Sequence, residues 1–344
     1  MPDHPPVTVL LPVYNEVAHI DECLSSLQAQ DYPGPWTLLV AEGGSTDGTR
    51  ERLARWQQRL PNLTIVENPQ RLQTHGVNLA ARVASTEILV RADGHTIYAP
   101  DYLRRSVEAL LGSEAVAVGG LMRPKGRSPF GRAVAAAMTS PVAVGPGKFH
   151  YSASRQLADT AYLPAFRRAD FLATGGYRTL PSGVGEDAEL HHRWRRAGRV
   201  ILLDPGIRSV YLPRETPGAL WRQFYRYGLS KADMLYLNGR WPSWRPAAPL
   251  GLVAGLVGTA IGAVLSSVRW PFAALLGAWL ALVSGAALRL GRGTGQVARV
   301  GGAMAIMHLS YGSGLLVGLL KGPRAQRAFL VAPSPHDAST SRGG

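Results

Sequence analysis

VTVLLPVYNE, Val7 to Glu16, is a short apolar run of strand character that ends in a polar tip, and the pattern recurs through the first third of the chain. TLLVA (Thr37 to Ala41), LTIV (Leu63 to Val66), EILVR (Glu87 to Arg91) and AVAV (Ala115 to Val118) are runs of the same kind. Helical spacing fills the gaps. Ile20, Cys23, Leu24 and Leu27 share a face after Asn15, a residue suited to capping, and Leu53, Trp56 and Leu60 share another. Strands alternating with helices build a sheet covered on both sides. The expected fold is α/β, a doubly wound, mainly parallel sheet, with Cys23 in its core. Ligands bind such sheets beyond the carboxyl ends of the strands, so the residues that follow each run are the functional candidates.

Farther along, the texture changes. Leu121 to Ser154 holds several Gly and Pro residues, scattered basic groups and no sustained period, which reads as a long irregular excursion suited to acceptor binding. Glu186 to Ala197 reads as a helix closed by Gly198, followed by short strands near Val200 to Leu203 and Arg208 to Leu212. In Thr216 to Asn238, Leu220, Phe224 and Tyr227 or Gly228 share a face beside Arg222, Arg226 and Lys231. That pattern fits a helix at a membrane interface and equally an amphipathic helix packed on a core.

Three apolar stretches follow, Ala247 to Val268, Trp270 to Leu288 and Val297 to Leu320, each near the span of a bilayer core. They are expected to be membrane helices; the competing reading is a buried Ala/Gly-rich bundle. The third carries His308, Ser310 and Tyr311. With all three crossing and the catalytic part inside, Lys321, Arg324 and Arg327 would lie outside, against the positive-inside tendency; a re-entrant or interfacial third segment removes that conflict. The expected organisation is 1–120 and 121–240 as two halves of a catalytic part, 241–325 as the membrane segment and 326–344 as a flexible tail.

The chain has 344 residues, and 37 Lys plus Arg against 23 Asp plus Glu give a net charge of +14, which favours anionic partners such as phosphorylated substrates or acidic lipid. The basic residues are dispersed, with no basic-aromatic reading motif, so nucleic acid is not an expected partner. Cys23 is the sole cysteine, so no intramolecular disulfide forms, and a metal site would use carboxylates or imidazoles. No secretory leader is read at the N-terminus. The catalytic part is expected in the cytosol, at the plasma membrane.

Four motifs carry chemistry. Pro12, Tyr14, Asn15 and Glu16 end the first strand, although Asn15 could simply cap and Tyr14 simply pack. AEGGSTDGT follows the second, with Glu42 at the tip, two glycines that let the backbone approach a ligand, and turn residues that also suit an ordinary capped turn. RADGH follows the fourth: Asp93 is a hard oxygen ligand for Mg2+ or Mn2+, and His95 is a second ligand, an orienting neighbour or a turn residue. In VGEDAEL, Glu186 and Asp187 open a helix, where a carboxylate either serves the helix dipole or takes a proton from an acceptor hydroxyl. His191 and His192 on that helix are expected to be solvated.

PVYNE, EGGSTDGT, RADGH and GEDAEL, in this order, resemble the family 2 glycosyltransferases, and QFYRYG resembles the branch of succinoglycan-type glucosyltransferases. The resemblance covers about Val7 to Gly228 and most of the apolar tail. It implies a GT-A-like fold and an inverting, metal-dependent transfer of a hexose from a nucleotide-diphosphate donor, a UDP-sugar foremost, to a glycan or lipid-linked acceptor. Carried over residue by residue, it sets Pro12, Tyr14, Asn15 and Glu16 beside the nucleotide, Glu42 near the base, and Arg71 near uracil or diphosphate. Asp93 becomes the metal ligand, with His95 beside it, and Asp187 the general base, with Glu186 supporting the acceptor. Gln223, Arg226 and Tyr227 match Gln-x-x-Arg-Trp, which lines the acceptor and diphosphate region. Three residues depart from the pattern: Glu42 replaces Asp, Arg91 replaces the first acid of Asp-x-Asp, and Tyr227 replaces Trp. Transfer to polyprenyl phosphate and a catalytically silent nucleotide-sugar-binding scaffold are the competing functions.

Overall fold

The computed structural model describes residues 4–145, 147–241, 244–266 and 268–323. Arg324, Arg327 and the 326–344 tail lie outside the described residues. The chain divides into two compact units: Met1–Thr179, Glu186–Thr216 and Ser284–Met304 make one, and Leu180–Gly185, Pro217–Val283 and Ala305–Gly344 make the other.

The first unit starts with β1 (Val7–Val13), α1 (Ile20–Gln28), β2 (Trp36–Glu42), α2 (Thr49–Arg59), β3 (Leu63–Glu67), α3 (Gln73–Val83) and β4 (Ile88–Arg91). Next come β5 (Thr96–Tyr98), α4 (Tyr102–Leu111), β6 (Ala117–Pro124), α5 (Pro129–Met138), α6 (Pro141–Val144), β7 (Gln156–Leu157), β8 (Tyr162–Arg167), α7 (Arg168–Ala173), α8 (Glu186–Arg196) and β9 (Ile201–Tyr211). They form one sheet in the order β3-β2-β1-β4-β8-β6-β9-β5, with β7 on β9. The β3, β2, β1 and β4 strands are parallel; β8 is antiparallel to both β4 and β6. The expected fold class is the observed one.

Alternation along β1 explains why helices cover both faces. Val7, Val9, Leu11 and Val13 enter the cluster that includes Ile20, Leu24 and Leu53, while Leu10 enters the one that includes Val77, Phe171 and Trp194. Cys23 is buried in the first cluster. Each fully buried aliphatic side chain contributes about 1.5–3 kcal/mol through removal from water. The chain order turns back at β1, with β2 on one side and β4 on the other, so the crevice above the β1 and β4 tips is the switch point where such folds hold ligands.

Two expectations about texture are corrected. Leu121 to Ser154 is not irregular throughout: β6 runs on to Pro124, and α5 follows with Ser128 as N-cap, its hydroxyl accepting from Gly131 N–H at 2.9 Å, and proline in the first turn. Proline there has no N–H to lose and is already set to helical φ, so Ser128-Pro129 starts a helix. The two short strands expected near Val200 and Arg208 are one strand, β9, with a register shift opposite Gly119 to Leu121.

In the second unit, α9 (Pro217–Asn238) precedes α10 (Ala247–Leu265); α11 (Trp270–Leu290) and α12 (Thr294–Lys321) complete the apolar region, each shared between the two units. All three apolar helices are long and apolar enough to cross a membrane. Only 6% and 11% of the apolar windows of α10 and α11 are buried within the chain, against 44% for α12. Part of the α12 burial comes from α9, which packs on its C-terminal half. An added Cβ at Gly228 would meet the Tyr311 carbonyl, and one at Gly314 the Tyr225 carbonyl, so glycine lets the two backbones approach. Tyr236 Oη donates to the Leu319 carbonyl at 2.8 Å. Two polar side chains of α12 find partners inside the protein: Trp279 donates to His308 at 3.1 Å, and Ser310 to the Ile306 carbonyl at 2.6 Å. Gly228→Val is expected to cost about 1–3 kcal/mol by overpacking this seam, read as a lowered melting temperature of the detergent-solubilised protein.

Candidate active site

Register brings three strand tips together. Val13 pairs with Glu42 and Leu10 with Arg91, and the Ala92 N–H donates to the Leu10 carbonyl at 2.9 Å. The first two tips are stitched by side chains. Asn15 N–H donates to Ser45 Oγ at 2.9 Å, Thr46 N–H donates to Asn15 Oδ1 at 2.9 Å, and Glu16 N–H donates to Thr49 Oγ1 at 2.9 Å. Asn15 holds φ 54°, a left-handed conformation that asparagine tolerates better than most residues. Pro12 is buried within β1, while Tyr14 is 42% exposed.

Glu42 is 1% exposed. Its Oε2 accepts from Gly44 N–H at 2.9 Å, its Oε1 accepts from Ser45 N–H at 2.7 Å, and Arg50 Nε lies 3.2 Å from Oε2. The extra methylene of glutamate thus returns the carboxylate onto its own loop, which it shapes. Arg71, with φ 57°, places its guanidinium beside Gly44 of that loop.

At the β4 tip, Asp93 is fixed through its backbone and its side chain. Its N–H donates to Tyr98 Oη at 2.7 Å, Tyr98 O–H donates to its carbonyl at 3.2 Å, and Gln73 Nε2 donates to Oδ1 at 2.9 Å. His95 Nδ1 lies 3.1 Å from Glu16 Oε1. Burial lowers the His95 pKa, but the Glu16 hydrogen bond and the Asp93 charge outweigh it and the net shift is upward. Among the described residues no group of three or more His, Cys, Asp or Glu side chains forms a metal cage. Asp93 with a neighbouring imidazole still fits Mg2+ or Mn2+ of the kind that binds one or two protein groups and completes its shell with phosphate oxygens and water.

The Glu186 and Asp187 pair opens α8 and meets Arg91. Arg91 Nη2 donates to Glu186 Oε1 at 2.9 Å, and Nη1 donates to Asp187 Oδ1. Burial pushes the Asp187 carboxyl up to about 6, with Arg91 opposing and Glu186 adding to the rise. His191 and His192 are buried, which corrects the expectation of solvated side chains: His191 Nδ1 lies 2.8 Å from Thr160 Oγ1, and its ring packs on Trp194. Desolvation, joined by the Arg91 charge, lowers the His191 pKa to about 3, so it stays neutral.

In the second unit, Gln223 Nε2 lies 3.1 Å from Tyr227 Oη, and Arg226 Nε donates to the Ser182 carbonyl at 3.1 Å. Asp233, about two turns farther along the same face, accepts from Ser182 N–H at 2.9 Å and is buried. Two α9 side chains therefore grip both sides of the Ser182 peptide, in the loop whose next residues are Glu186 and Asp187. Sequence reasoning missed Asp233, as well as Gln73 and Tyr98; only the 20-residue and five-residue separations of the latter two from Asp93 could have hinted at them.

The fold has a solved counterpart. A mannosyltransferase from Pyrobaculum calidifontis, solved in complex with GDP-Man and Mn2+, superposes with a TM-score of 0.62 at 22% identity, over 94% of this chain and 88% of that one. The architecture is thus the GT-A fold of glycosyltransferases. Residues 8–160 match the profile described as Glycosyl transferase family 2. The succinoglycan biosynthesis protein ExoA of Rhizobium meliloti (strain 1021) is 32% identical over 312 residues, covering 89% of this chain and 92% of ExoA. A dolichyl N-acetyl-alpha-D-glucosaminyl phosphate 3-beta-D-2,3-diacetamido-2,3-dideoxy-beta-D-glucuronosyltransferase of Methanococcus voltae is 22% identical, over 68% of this chain and 76% of that enzyme. The chain belongs to glycosyl transferase family 2.

Asp233→Ala leaves the Ser182 N–H without its buried acceptor and is expected to cost about 1–3 kcal/mol. Thermal unfolding in detergent reads this directly, and Asp233→Asn, which keeps an acceptor oxygen, should recover most of the loss.

Proposed function

We propose that the chain is an inverting glycosyltransferase that moves a hexose, from UDP foremost, to a membrane-associated glycan or lipid-linked acceptor at the cytosolic face of the plasma membrane. The observation that supports the reading is the convergence of Asp93, Glu186 and Asp187 on one buried guanidinium; in this reading Asp93 is the carboxylate for a metal and Asp187 the one that accepts a proton. Three apolar helices, and relatives whose names specify succinoglycan biosynthesis and a dolichyl-linked sugar acceptor, support the acceptor class.

In this reading Pro12, Tyr14, Asn15 and Glu16 line the nucleotide, Glu42 shapes the loop that faces the base, and Arg71 meets uracil or diphosphate. Gln223, Arg226 and Tyr227 serve the acceptor and diphosphate region by resemblance. Asp187 takes the proton of the acceptor hydroxyl as that oxygen attacks the anomeric carbon, and the nucleoside diphosphate leaves from the opposite face. An α-linked donor gives a β-linked product with no covalent sugar intermediate. Asp93, with His95 beside it, would hold Mg2+ or Mn2+, whose chemical contribution is to neutralise charge on the departing diphosphate. The raised pKa suits Asp187 to its role, since a general base works best with a pKa near the operating pH.

Purified protein in detergent, assayed with UDP-, GDP- and dTDP-sugars with Mg2+, Mn2+ or EDTA, tests the proposal. One donor should turn over with a metal, and Asp187→Asn and Asp93→Ala should abolish turnover. A base must be ionised to act, so kcat should fall as the pH drops through about 6 and level off above it. Transfer to polyprenyl phosphate that survives Asp187→Asn would favour the competing acceptor, and donor binding without any turnover would contradict the enzyme reading.

A further inference from the structure

Arg91 stands where the resemblance puts an acid, and nothing in the reaction described above uses it. Its side chain is 2% exposed. Besides its bonds to Glu186 and Asp187, Nη2 lies 3.6 Å from Asp93 Oδ1. The guanidinium packs on the Tyr177 ring, 5.0 Å from its centre. Tyr177 is fixed in turn by Asn78 of α3: the amide donates to the Tyr177 carbonyl and accepts from its N–H, each at 2.8 Å. The cation is thus clamped between a central strand, an aromatic face and the first turn of α8.

Such a cluster is costly to bury, and a buried ion pair is a weak source of stability compared with apolar packing. What it supplies is geometry. Guanidinium is a rigid planar fork whose two Nη groups can each hold a different carboxylate, whereas lysine offers one flexible point charge. Glu186 and Asp187 are adjacent in sequence, and without a cation between them both would repel each other and Asp93.

We infer that Arg91 is a positioning residue for the transfer step, holding the Asp187 carboxylate in the orientation from which it receives the acceptor proton while Glu186 occupies the other arm of the fork. The inference rests on the reading of Asp187 as general base. It makes the loss of the first Asp-x-Asp acid an exchange of function: that position serves the base instead of the metal.

The test uses the full chain in detergent, with Asp187→Asn as reference beside Arg91→Met, Arg91→Lys, Arg91→Asp and the double variant Arg91→Met/Glu186→Gln. The readouts are kcat, donor KM, calorimetric affinity for UDP and melting temperature. Arg91→Met should lose about 100-fold in kcat, the scale of a small misplacement of a reacting group. Donor KM and UDP affinity should stay within about threefold, because the closest bonds lost are those to Glu186 and Asp187, while the contact to Asp93 is the longest of the three at 3.6 Å. Arg91→Lys should recover part of the loss. Arg91→Asp, although it rebuilds the Asp-x-Asp spacing, should fall below Arg91→Met. The double variant, which removes a carboxylate along with the cation, carries the same kcat test should Arg91→Met not fold. A wild-type kcat in either Met variant, a loss expressed in UDP affinity instead of kcat, or an Arg91→Asp variant better than Arg91→Met overturns the inference. A normal kcat in Asp187→Asn removes the base assignment and this inference together, whereas a normal Arg91→Met beside an inactive Asp187→Asn removes this inference alone.

Discussion

Because β1 is buried on both faces and hydrogen-bonded along both edges, its register admits no slip: moving it by one residue would exchange the side chains of the two apolar clusters. That constraint fixes where Val13 stands against Glu42 and where Leu10 stands against Arg91, and therefore which polar residues meet above the sheet. Side-chain bonds from Asn15 to Ser45 and Thr46 then tie the β1 and β2 tips that the register has set side by side. The ladder is held together by apolar packing, and the polar residues gather at and just past its end.

The price of that placement is a concentration of like charge, with Asp93, Glu186 and Asp187 all within reach of Arg91. Burial pushes the Asp187 carboxyl up to about 6, and the Arg91 charge opposes that rise. In the second unit the balance is between backbones. Glycines at Gly228 and Gly314 let α9 and α12 approach closely, and α10 and α11 keep apolar surface that suits a lipid environment.

The parts legible in sequence were those encoded locally. Parallel strands announce themselves as apolar runs with turn residues behind them, so β1 to β4 and the residues at their tips are legible in the sequence. The apolar helices were equally plain. Features that depend on distant partners were not. Arg91 finds Glu186 and Asp187 across separations of 95 and 96 residues, and no local pattern marks that meeting. His191 and His192 sit beside charged neighbours that suggest a solvated face, yet tertiary packing buries them. The antiparallel β8 and the short β5 take their identity from the strands they join, and a stretch whose Gly and Pro residues suggest irregular chain holds a helix that Pro129 begins after a capping serine.

Single displacement from a base on α8 has one consequence that no arrangement of alternative roles can imitate. The most direct measurement is the anomeric configuration of the product formed from an α-linked UDP-hexose, read by proton NMR from the coupling of the newly linked anomeric hydrogen during the first turnovers. A β-configured product is the expected result. An α-configured product would mean net retention, and would contradict both the single displacement and the assignment of Asp187 as its base.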